Sequence, residues 1–137
     1  MHTSFILTAL LTLVGTEPVS EAQAPSKSVF SPPSVHEMVV GTAIEKLKPV
    51  GVADRFPLTV GKLFCFTRVT DVKGETTVHH LWFYGDRLVQ ETLLPVKGVS
   101  WRTYSSREIP SEWTGSWRVD ITAEDGTLLK SVSFTIQ

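Results

Sequence analysis

Residues 99–119, VSWRTYSSREIPSEWTGSWRV, concentrate the side chains of this chain best suited to recognising a ligand. Three of the four Trp fall here, and two of the 13 basic residues, Arg102 and Arg118, directly follow a Trp. Indole faces bind the apolar surfaces of sugars and peptides, while guanidinium, imidazole and hydroxyl groups take the polar edges. Along an extended strand, alternation puts Arg102 and Tyr104 on one face and Trp101 and Thr103 on the other. An earlier stretch, TTVHHLWFY at residues 76–84, places His80 and Trp82 on one face as well. Two readings follow. His80, Trp82, Trp101 and Trp113 can form a polar-edged aromatic cluster that fixes the fold under a crossing loop. Alternatively, His80, Trp82, Trp101, Arg102, Tyr104 and Trp113 contribute to an open binding platform, and these six are the candidate site residues.

The remaining chemistry is sparse. His79 and His80 are adjacent, so on a strand they point to opposite faces and cannot chelate one ion together. A three-ligand zinc site would need carboxylates that no spacing in the sequence supplies. There is no Gly-x-Ser-x-Gly elbow around any serine. Glu91 and Glu112 form a carboxylate pair of no specificity, since Asp54 and Asp71 are equally available. The single cysteine, Cys65, lies inside an aromatic run, where burial raises a thiol pKa, and one cysteine makes no intrachain disulfide. The expectation is a domain without catalysis, metal or cofactor.

The elements that must position these residues read as short strands separated by turn signals. Residues 38–47 form an apolar, β-branched run ended by Pro49 and Gly51. Residues 62–69, KLFCFTRV, are a dense aromatic strand. Residues 76–84 are followed by Gly85-Asp86, a two-residue turn with Gly first, which predicts a type II′ hairpin returning over residues 87–94. The 99–119 stretch divides into a strand over 100–106, a crossing loop over 107–114 and a strand beginning at Gly115. There Trp117, Val119 and Ile121 alternate with Arg118, Asp120 and Thr122, giving one dry and one wet face. Asp125-Gly126 predicts another hairpin, and Val132, Phe134 and Ile136 alternate with Ser131, Ser133 and Thr135. The count is about seven strands with no amphipathic helix. It fits an all-β fold: a single antiparallel β-sandwich of immunoglobulin-like type.

The chain has 137 residues, enough for one domain with its own core. Residues 5–14, FILTALLTLV, are too few to span a bilayer but match the apolar region of a secretory signal, with small residues at Ser20, Ala22 and Ala24. Residues 1–22 are therefore read as a signal peptide, 23–37 as a Pro/Ser-rich linker and 38–137 as the domain. Removing Glu17 and Glu21 with the signal takes the net charge from −1 to +1. Neither value gives a footprint for nucleic acid or for an anionic membrane. The expected location is secreted or periplasmic, without stable membrane insertion once the signal is cleaved.

From about residue 39 to 136 the chain resembles the bacterial family catalogued as domain of unknown function 2914. The resemblance rests on Thr42-Ala43-Ile44 with Lys48-Pro49, on FCFT at residues 64–67, and on His80-x-Trp82. It continues through Leu94-Pro95-Val96, Trp101-Arg102-Thr103 with Ser105-Ser106, and Trp113-Thr114-Gly115-x-Trp117, and closes on Asp125-Gly126 with Phe134. It implies a compact β domain of exported or envelope proteins and carries no activity. The functional expectation is an exported, non-catalytic binding domain engaging an envelope protein or peptide; the alternative is a carbohydrate-binding module using the Trp and Arg platform.

Overall fold

Alternation of large apolar with polar side chains along the chain produces two sheets whose dry faces meet. The computed structural model describes residues 31–137, which form one compact unit. Its strands are β1 (Ser34–Gly41), β2 (Ala43–Glu45), β3 (Lys48–Val50), β4 (Arg55–Phe56), β5 (Lys62–Thr70), β6 (Thr76–Tyr84), β7 (Arg87–Val96), β8 (Ser100–Glu108), β9 (Gly115–Thr122) and β10 (Leu128–Ile136). The smaller main sheet has the order β1-β5-β8 and the larger β4-β10-β9-β6-β7, while β2 and β3 pair as a separate ribbon. The stretch read as a signal peptide, and the part read as linker up to residue 30, lie outside the described residues. Strand β1 begins at Ser34, so it takes in the last four residues read as linker.

The core lies between the two sheets. Met38 and Val40 of β1 and Leu63, Cys65 and Val69 of β5 come from one side. Val78 and Trp82 of β6, Trp117, Val119 and Ile121 of β9, and Phe134 and Ile136 of β10 come from the other. The dry face expected for β9 is the buried one. Aromatic contacts join strands of the larger sheet on its inner face: Trp117 lies parallel to Phe134 at 5.8 Å, and Trp82 meets Phe134 edge-on at 6.3 Å.

Among the described residues ten strands form rather than about seven, and seven of them have eight residues or more. The extra ones come from residues 38–58. The run 38–47, expected as one strand, breaks at Thr42, whose N–H donates to the Val50 carbonyl at 2.9 Å. It then turns at Lys46 and Leu47, both at positive φ (51° and 57°), giving the mirror-image two-residue turn that favours hairpins. Nothing in a Lys-Leu pair signals such a turn. The two-residue β4 pairs in parallel with the end of β10, so the larger sheet is not wholly antiparallel. By contrast, Gly85 adopts φ 59° between register partners Tyr84 and Arg87, the expected turn. Strand β7 runs on through Pro95, which an edge strand tolerates because its outward side needs no N–H.

Candidate functional site

Strand alternation on β6 sends Val78, His80 and Trp82 inward, away from solvent. His80 and Trp82 each have 0% exposure, so neither contributes to a surface platform. The side-chain partners of His80 lie across the core on the other sheet. Its Nδ1 lies 2.6 Å from Ser105 Oγ on β8, and its Nε2 lies 3.2 Å from Thr67 Oγ1 on β5. Trp82 Nε1–H donates to the same Ser105 Oγ at 3.0 Å. In one consistent proton arrangement Trp82 donates to Ser105, Ser105 O–H to His80 Nδ1, and His80 Nε2–H to Thr67, so that both ring nitrogens and the indole N–H are paired. Burial holds the His80 pKa down, from 6.5 to about 4, so the ring stays neutral.

A serine hydroxyl on a histidine nitrogen is the start of a nucleophilic dyad. Here Ser105 is 4% exposed, its oxygen already accepts from Trp82, and the pair sits between the two sheets. What the arrangement does is tie β6 to β5 and β8 through a satisfied polar network. Burial also pushes the Cys65 thiol far above its ordinary pKa, leaving it protonated.

The loop between β8 and β9 covers one end of the core, as expected for the segment bearing Trp113. Trp113 stacks on Tyr84 at 5.0 Å with 18° between the rings, and its carbonyl accepts Trp117 Nε1–H at 3.0 Å. The Arg87 and Arg107 guanidinium groups lie over its ring at 5.1 and 5.6 Å. Its faces are therefore engaged by protein groups. Tyr84 O–H donates to the Thr114 carbonyl, closing the loop onto β6.

Trp101 and Arg102 remain, and the structure brings these two of the six together. They line an open groove of about 410 Å³ with Ser100, Arg68 of β5 and Leu47 of the β2–β3 turn. Trp101 packs against the core below, under Gly98, where an added Cβ would sit 3.1 Å from the indole. Arg102 is exposed on the outer face, directly opposite Arg68 in the β5–β8 register. Arg68 Nε donates to Ser100 Oγ at 3.1 Å. Among the described residues the ion pairs are His79–Glu91 and Arg118–Asp120, so neither groove arginine is in one. Tyr104 is 40% exposed further along the same face, tilted against Phe64 at 6.1 Å. It is not part of the groove lining.

Arg68, Ser100 and Leu47 escaped the sequence reading. Arg68 had a signal, being the one charged side chain in the aromatic run 63–69, but its opposition to Arg102 follows from a register the sequence does not state. Among the described residues no three His, Cys, Asp or Glu side chains are grouped as metal ligands would be. No described helix is long and apolar enough to cross a membrane.

No curated protein matches the chain. The motifs at Thr42, Lys48-Pro49 and residues 64–67 lie outside the family match that the chain does have. That match runs from just before β6 to the end of β10: residues 75–136 match the family described as "Protein of unknown function (DUF2914)".

Proposed function

We propose that this protein is an exported, non-catalytic binding domain that engages a peptide or protein partner through the groove formed by Arg68, Ser100, Trp101 and Arg102. One observation carries the reading: two guanidinium groups face the same open groove beside an exposed apolar wall, Leu47, and neither has a carboxylate partner among the described residues. Like charges directly opposite on neighbouring strands destabilise a sheet, so the pair has a cost that an anionic or polar ligand would offset. The sealed position of the Ser105–His80 pair supports binding over catalysis. The apolar run at residues 5–14 and the small residues after it support export to the periplasm or beyond, with neither nucleic acid nor membrane as partner.

The fold supports the same reading. In order along the chain, the seven long strands divide as first, second and fifth against third, fourth, sixth and seventh. That division is the reason to favour an immunoglobulin-like sandwich, an architecture common in recognition domains. The glycan alternative draws less support. It needs a flat, open ring, while Trp82 and Trp117 are buried, Trp113 is engaged by Tyr84 and two arginines, and Trp101 is half-buried against the core.

A panel of soluble peptides and cell-wall glycans, screened against the protein and its Arg102→Ala and Trp113→Ala variants, tests this. Peptide binding lost in Arg102→Ala with the unfolding midpoint unchanged is the expected result. Glycan binding lost in either variant would overturn it.

A further inference from the structure

Three surfaces outside the core network offer chemistry. The outer face of the larger sheet carries exposed Leu88 and Leu93 with Phe83 under the Arg118 guanidinium, but its charged groups are already paired and nothing indicates what covers it. The polar recess at Lys62, Gln90, Arg107 and Glu108 has Arg107 held by Val89 O and Gln90 Oε1 and stacked on Trp113. The free edge of β8 has neither restriction.

Strand β8 ends the order β1-β5-β8, so among the described residues its far side has no backbone partner strand. Over its later half that side is closed by side chains. Gln90 Nε2–H donates to the Ser106 carbonyl at 2.9 Å, and Arg107 reaches the Val89 carbonyl of β7 at 3.3 Å. Residues 100–104 have no such cover. In the constant-type immunoglobulin arrangement a fourth strand lies at this position, beside the third strand of the same sheet.

The charges across the sheet indicate what such a strand would carry. One cross-strand row runs Glu37 of β1, Arg68 of β5, Arg102 of β8. Glu37 faces Arg68 in register, although the two are not in ion-pair contact; Arg102 faces only another arginine and then the open edge. A residue added opposite Arg102 would balance the row, two carboxylates flanking two guanidinium groups, if it were a carboxylate, which guanidinium groups bind in a two-pronged geometry. Leu47, 50% exposed and flanked in the chain by Lys46 and Lys48, offers an apolar contact on the same side.

We infer that residues 100–104 of β8 accept an extended acidic segment of a partner protein as an added strand, with one of its carboxylates seated on Arg102 and Arg68. The inference rests on the proposed function and specifies the partner's chemistry. Main-chain hydrogen bonds to the edge would hold the segment, and the arginines would select its charge.

Titration of the ¹⁵N-labelled protein with a synthetic peptide alternating Val and Glu, with its Gln-for-Glu twin, and with sulfate alone tests it. The acidic peptide should shift the amides of residues 100–104 and slow their hydrogen exchange. The Gln twin, Arg102→Gln and Arg68→Gln should each weaken binding roughly tenfold, and salt should weaken it further. Equal binding of both peptides at β8 would overturn the acidic specificity and leave the groove as the binding surface. Shifts confined to another face would overturn both. Sulfate binding without peptide binding would show an oxyanion site and no strand docking. If no probe shifts the edge, its charge only guards it against pairing, and the inference fails.

Discussion

At the scale of single residues, the buried polar network is centred on His80. Between pH 6.5 and its folded pKa of about 4, the unfolded chain binds a proton that the folded protein does not. Stability is therefore complete above pH 6.5 and falls as pH drops toward 4, by about 3 kcal/mol in all. Urea unfolding across this range should show the loss, and His80→Gln should abolish that component; an unchanged profile in the variant would remove His80 from the account. Ser105→Ala strands the Trp82 N–H and a histidine nitrogen together. It should cost roughly 2–4 kcal/mol by denaturant titration, against under about 1 kcal/mol if the network were idle. Alternation alone disclosed that His80 and Trp82 share one face of their strand, but not that this face is the inward one, because the opposite face carries Leu81 and Phe83 and is apolar as well. It did not disclose Ser105 or Thr67 as partners, because those contacts cross between sheets and depend on how the two layers are offset.

At the scale of elements, strong alternation and glycine-first turns made β5, β6, β9 and the Gly85 turn readable, since both signals are local. The β2–β3 ribbon was not readable. Its turn uses Lys46 and Leu47 in a left-handed conformation that their side chains disfavour, and the hairpin is held by packing against the first strands. Replacing Lys46 by Gly should raise stability by about 1 kcal/mol in a thermal melt, because the strain belongs to the Cβ. Gly41→Ala should do the reverse. A Cβ there would lie 2.5 Å from the Val50 carbonyl oxygen, which has no flexible way to retreat. The expected signature is a destabilised domain with the ribbon amides exchanging first. An Ala variant as stable as the parent would mean that the ribbon is not held against β1.

At the scale of the whole molecule, the protein spends its aromatic surface on cohesion, and the proposed recognition falls to an edge. Trp82→Ala or Trp117→Ala should cost about 3–5 kcal/mol, enough to unfold a domain of ordinary stability. Arg102→Ala should change stability by less than about 0.5 kcal/mol, since the side chain has no buried contact to lose. The tryptophan-rich stretch announced both roles in the sequence, but composition cannot assign them: Trp101, Trp113 and Trp117 differ only in what the layers place above them. The adjacency of Trp101 to Arg102 pointed to the groove, whereas Arg68, from a distant strand, needed the register to join it. The most direct measurement is the indole region of a ¹⁵N–¹H spectrum, where each of the four Trp gives one N–H signal. With the acidic peptide added, only the Trp101 signal should move, and those of Trp82 and Trp117 should remain slow to exchange with solvent. Movement of Trp113 with Trp101 unchanged would place the binding surface on the aromatic cluster and contradict the account.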